Sequence, residues 1–259
     1  MTDPIPEDTN ASRFVGKLMQ AWFRTAFDIE TMMPPALEIV GDPHRAFIKV
    51  YELKARRLGH PILGPSHSQY KQICVTLLAR PKGTDLEPRH HNLFMWEARG
   101  WALGTGGLAW PKKWADMEIT TIYPIETDYP DLLPLDYRVH VRDYEAALMT
   151  FDGVIDGVAR ITPPPLNGFY IPDNASPDFV YYLALQDSFL GEPLHGTGTL
   201  SFGFGPGEVD VPAVLRDTKG RPLGRESAGV LGEVDVEGFT VQDVMFERAY
   251  GVPEKIHLP

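Results

Sequence analysis

The chain has 259 residues, and its 24 Lys and Arg against 35 Asp and Glu give a formal net charge of −11. That acidic balance argues against nucleic acid or an anionic membrane surface as the main partner, because phosphate recognition needs a local excess of Lys and Arg. Hydrophobic residues make up 43%, enough for a sizeable core, and the single cysteine, Cys74, excludes an internal disulfide and a cysteine-rich metal site.

Residues 1–11 read as a flexible tail that is acidic, bears prolines and lacks the apolar core of a signal peptide. No run approaches ~18 apolar residues, so a membrane span is not expected, and a cytoplasmic protein is. From 12 to 259 the chain reads as a single domain. Its first element is predicted to be helical: Phe14, Val15, Leu18, Met19, Trp22, Phe23, Ala26 and Phe27 recur at i, i+1, i+4, i+5, with Ser12 as cap and Pro34-Pro35 as stop. Thereafter the pattern shortens to period two or to brief apolar runs. Strands are expected at 46–53 (AFIKVYEL), 72–79 (QICVTLLA), 92–98 (NLFMWEA), 117–125 (MEITTIYPI), 137–144 (YRVHVRDY) and 147–155 (ALMTFDGVI). Others follow at 179–186 (FVYYLALQ), 198–205 (GTLSFGFG) and 239–246 (FTVQDVMF). Arg80-Pro81-Lys82-Gly83, Asp152-Gly153 and Thr218 to Pro222 are the turn signals between them, and Thr162 to Pro165 could divide two lobes. With 24 Gly and 24 Pro, this rhythm argues for a mainly β fold: an antiparallel barrel or pair of packed sheets with a few peripheral helices.

Several sequence signals have bland readings. Gly104 to Gly107 lacks the following helix and the lysine of a phosphate loop, so it reads as a bend. His90 and His91, with Glu87, suggest metal ligation, but adjacent residues of an extended chain point to opposite faces, and solvated loop residues are expected. His195 to Gly198 reads as the glycine-bearing start of a strand. Ser, His and Asp are present without the GxSxG turn of a serine hydrolase. The Asn174 sequon has no role without secretion.

One segment is harder to dismiss: Gly107-Leu108-Ala109-Trp110-Pro111-Lys112-Lys113-Trp114. If it is extended, Trp110, Lys112 and Trp114 share one face and Lys113 takes the other, which sets one amine between two indoles. Burial disfavours the charged form of a lysine, and a neutral amine can condense with a carbonyl to an imine.

The run AWPKKW resembles the lysine-pair motif of the acetoacetate decarboxylase family. Upstream, Met33-Pro34-Pro35-Ala36-Leu37-Glu38-Ile39 and Phe23-Arg24-Thr25 are similar to further segments of that family, and the likeness is clearest over residues 20–160. The resemblance implies a mainly β fold, a homo-oligomer, a small-molecule keto-acid substrate and no metal or organic cofactor. It makes Lys112 the Schiff-base lysine and Lys113 its cationic neighbour. Trp110 and Trp114 would wall the substrate, and Gln69, His67 or Tyr70 could orient it or move protons. The family's glutamate before the strand is replaced here by Ser66-His67-Ser68-Gln69-Tyr70-Lys71, and its early arginine has no counterpart in register, Arg13 being the nearest. The expected activity is therefore a lyase, either a decarboxylase or an aldolase-dehydratase variant. The competing reading is a non-catalytic β-barrel that binds an apolar small molecule, with Lys112 only lining its pocket.

Overall fold

The computed structural model describes residues 12–57, 66–98, 112–120, 132–143, 146–158, 168–172, 178–183, 186–203, 231–248 and 254–259. The strands are β1 (Ser12–Arg24), β2 (Leu37–Ile39), β3 (Arg45–Arg57), β4 (Ser66–Pro81), β5 (Arg89–Ala98), β6 (Lys112–Trp114), β7 (Asp116–Ile119), β8 (Leu135–Asp143), β9 (Ala146–Val158), β10 (Phe169–Pro172), β11 (Phe179–Leu183), β12 (Gln186–Phe202), β13 (Glu233–Arg248) and β14 (Glu254–His257). These fourteen form one sheet in the order β14-β11-β10-β5-β4-β3-β1-β13-β12-β9-β8-β7, with β2 attached to β4 and β6 to β5. Pairing is antiparallel except where β5 meets β10 and β6. The sheet curls until β7 approaches β5, giving a half-barrel whose concave face holds the main core. The fold is thus mainly β, as the strand rhythm predicts. Among the described residues the only helical turn is a 3-10 turn, Ile29–Met32, capped by the Asp28 carboxylate, which accepts from the Glu30 N–H. No helix among them is long and apolar enough to cross a membrane.

The predicted first helix is instead β1 (Ser12–Arg24), hydrogen-bonded to β3 (Arg45–Arg57) on one side and β13 (Glu233–Arg248) on the other. A central strand packed on both faces carries apolar residues at both parities. Met19, Ala21 and Phe23 enter the main core, while Phe14 and Leu18 join a second cluster on the opposite face with Tyr51, Leu53, Cys74 and Met95. Together these two sets mimic i, i+4 spacing, and tertiary pairing overrides the local pattern.

The next strands follow the predicted runs: β4 is Ser66–Pro81, β5 Arg89–Ala98, β8 Leu135–Asp143 and β9 Ala146–Val158. Three other expectations are corrected. Asp152-Gly153 is not a turn but mid-β9, paired with both β8 and β12 (Gln186–Phe202). The run 179–186 is divided between β11 (Phe179–Leu183) and the start of β12. His195 to Gly198 lies inside β12 rather than at its start, where a Cβ on Gly196 would fall 2.2 Å from the Val154 carbonyl oxygen and 2.5 Å from the Phe239 ring. Gly104 to Gly107, Thr162 to Pro165, Thr218 to Pro222, the Asn174 sequon and residues 121–125 of the fourth predicted strand lie outside the described residues.

Candidate functional site

The lysine pair opens β6 (Lys112–Trp114), a three-residue strand in parallel register with β5: Met95 with Lys112, Trp96 with Lys113, Glu97 with Trp114. From Lys112 to Trp114 the chain is extended, the condition under which the sequence reading sets alternate residues on opposite faces, and one residue later it enters β7 (Asp116–Ile119). Burial alternates along this stretch. Trp114, Asp116 and Glu118 are exposed, whereas Ala115 and Ile119 lie in the main core and Met117 packs against it. Position 112 shares the parity of Trp114, and position 113 that of Ala115.

The exposed series borders a cleft of about 420 Å³. Gln69, Lys71 and Ala98 line it from β4 and β5, and Trp114, Asp116, Met117, Glu118, His140 and Arg142 from β6 to β8. Two of the residues singled out in the sequence, Gln69 and Trp114, thus meet in one cavity. His67 shares the parity of Gln69 along β4, while Tyr70 takes the other and is paired with Leu53. Trp114 is 58% exposed, so it borders an open cleft rather than closing a dry apolar wall. Trp110 lies outside the described residues.

Sequence reasoning missed the far wall of the cleft. Asp116 stands opposite Arg142 across the β7–β8 pair, and Glu118 stands opposite His140. The His140 Nε2 is shielded from solvent, makes no hydrogen bond, and lies 3.5 Å from a carboxylate oxygen of Asp152. Lys71 is held 3.6 Å from Glu52. In the main core, burial and the negative charge of Glu52 push the Tyr137 phenol upward, so it stays protonated.

It also missed a second amine. Lys49 is fully buried (0% exposed) on the outer face of β3, with its Nζ 2.6 Å from Nδ1 of His90. Burial, and then the charges of Lys49 and Arg89, hold His90 well below the usual imidazole range. The ring is therefore neutral at pH 7. Thr76 donates to Asn92 beside them at 2.8 Å. His90 and His91 are not solvated loop residues, as expected from the sequence, but buried residues of β5 facing opposite ways. The His91 Nδ1–H donates to the Tyr170 carbonyl, and burial lowers its pKa to about 4. Among the described residues no group of three or more His, Cys, Asp and Glu could hold a metal ion.

No family model matches the chain, and no curated protein matches it by sequence. Solved structures do match. The enduracididine biosynthesis enzyme MppR complexed with pyruvate aligns at a TM-score of 0.63 and 15% identity, covering 100% of this chain and 92% of its own. An acetoacetate decarboxylase-like enzyme from Sphingomonas wittichii RW1 aligns at 0.64 and 11% identity, covering 97% and 95%. The chain has the acetoacetate decarboxylase-like fold. Acetoacetate decarboxylase from Legionella pneumophila aligns at 0.54 and 13% identity, covering 94% of this chain and 86% of its own. In this acetoacetate decarboxylase-like barrel, the lysine-bearing strand β6 runs beside β5 and leads directly into the wall of the cleft.

Proposed function

We propose that the protein is a Schiff-base lyase acting on a small keto acid, with Lys112 as the imine-forming residue. The observation that supports this reading is the alternation along residues 114 to 119, whose exposed members line the cleft and share the parity of position 112, together with a fold that matches that of enzymes, one of them solved with pyruvate.

The amine adds to the substrate carbonyl to form a carbinolamine, and loss of water gives an iminium. That cation accepts the electron pair released when CO2 or an α-proton departs, so the reaction calls for no metal or organic cofactor. The enamine is reprotonated, and water then hydrolyses the imine, freeing product and restoring the amine. Lys113, on the core-facing parity, acts as the cationic neighbour. Gln69 orients the substrate from the β4 side, and His140 joins His67 and Tyr70 as a candidate for proton transfer, which needs a group within hydrogen-bond reach of the reacting atom.

The exposure of Trp114 favours one rival, a non-catalytic barrel that takes a small molecule into the cleft. Borohydride reduction in the presence of a panel of α- and β-keto acids separates the two. The lyase reading expects a stable adduct that mass spectrometry assigns to Lys112, with CO2 release or new ultraviolet absorbance during turnover. Binding without any adduct, unchanged in Lys112→Ala, would establish the binder.

A further inference from the structure

A keto acid brings a carboxylate, and neither the early arginine nor the glutamate of the resembled pattern has a counterpart in register here. Two cations among the described residues line the cleft, and they are not equivalent. The charge of Lys71 is already opposed by Glu52 at 3.6 Å. Arg142 is exposed on β8, and its guanidinium makes no ion pair within 4 Å among the described residues, although Asp116 stands opposite it in register. On β9 the Asp152 carboxylate stands against Arg138 and His140 instead, 3.4 Å from the first and 3.5 Å from the second.

We propose that Arg142 is the carboxylate anchor of this cleft and selects keto acids over neutral carbonyl compounds; the assignment rests on the keto-acid reading above. Arginine presents a planar fork that pairs with a carboxylate through two parallel N–H···O bonds, and an unengaged guanidinium loses no existing partner when an anion arrives. Asp116 and Glu118 line the same space and repel an anion from the β7 side, leaving the guanidinium as its favourable seat. The spacing is suitable. Arg142 faces Asp116, four residues beyond Lys112, or about 13 Å along an extended chain. Two long basic side chains with a short keto acid between them can close that span.

The test compares wild type, Arg142→Gln and Arg142→Lys, with pyruvate as the anionic probe and acetone as the neutral one. Calorimetric titration measures pyruvate affinity, and borohydride trapping followed by peptide mapping measures adduct formation from each probe. Arg142→Gln is expected to weaken pyruvate binding and trapping about 10- to 100-fold while acetone trapping stays at the wild-type level. Arg142→Lys should recover part of the loss. Unchanged pyruvate affinity in Arg142→Gln overturns the anchor, as does a wild-type protein that does not bind pyruvate. Arg142-dependent pyruvate binding without any adduct keeps the anchor and removes the imine chemistry instead.

Discussion

Two lysine-bearing regions of the same sheet invite comparison. Over β3 to β5, Lys49 lies fully buried against a neutral imidazole and the Phe47 ring. Along β6 to β8, the strand that Lys112 opens leads to an open cleft lined by an exposed tryptophan and four charged residues, and the reactive amine is proposed to sit there. Dryness, the property on which the sequence reading rests its choice of amine, is met by Lys49. Access is met by the cleft. An amine that forms an imine needs both a lowered proton affinity and room for a carbonyl compound, so the difference shows that burial alone is a poor guide to which lysine reacts.

The sharpest way to break that comparison is to remove each amine in turn. Lys112→Ala is expected to abolish borohydride-trappable adduct and turnover while leaving the unfolding midpoint near wild type. Mapping an adduct to Lys49 would invert the assignment of the two regions. Lys49→Ala should act oppositely. It removes a buried four-carbon stem and the group hydrogen-bonded to His90 Nδ1, which costs about 2–4 kcal/mol of stability in a urea titration. The folded fraction should still be trapped at Lys112.

How far each region was legible in the sequence follows from the same contrast. Strands such as Arg45–Arg57 and Arg89–Ala98 were readable as short apolar or alternating runs. Ser12–Arg24 was not, because a strand flanked on both sides and packed on both faces shows the apolar residues of two parities at once. The lysine pair could be placed on an extended segment from Pro111 and the following run. The opposite wall could not, since Asp116, Glu118, His140 and Arg142 look like any solvated strand face until β7 and β8 pair. Lys49 and His90 are 41 residues apart and meet only through the β3–β4–β5 register. One signal was available: Lys49 shares its parity with Phe47, Tyr51 and Leu53, an apolar face that a lysine enters only with a partner.

Acid distinguishes the two regions without mutation. His91, in the buried layer, has its pKa lowered from 6.5 to about 4, so between those values the unfolded chain binds the proton that the folded chain refuses. Stability from this group is complete above about pH 6.5 and is lost as the pH falls toward 4; His90 is shifted in the same direction. The full loss from His91 is on the order of 3 kcal/mol. Urea midpoints at pH 7 and 4.5 should therefore separate, and the gap should narrow in His91→Asn, whose amide keeps a donor for the Tyr170 carbonyl. An equal gap in wild type and variant would assign the acid sensitivity to His90 or the carboxylates rather than to His91.

The smallest expected effect concerns the opposite side of the barrel, and it asks whether close packing there is independent of the cleft. Gly196 leaves room for the Phe239 ring, which also packs edge-on to Phe151 at 5.0 Å and stacks on Tyr137 at 5.7 Å. Tyr137 lies on the inner face of β8, between positions 136 and 138 and five residues before Arg142. A methyl at 196 must displace either the β9 backbone at Val154 or this ring, and such overpacking costs about 1–3 kcal/mol. If β9 yields, Gly196→Ala lowers the urea midpoint and leaves pyruvate affinity unchanged. If the ring yields, Tyr137 moves with it, β8 shifts beneath the cleft, and affinity falls together with stability. Measuring both quantities on this one variant therefore shows whether the aromatic stack inside the barrel sets the position of the residues outside it.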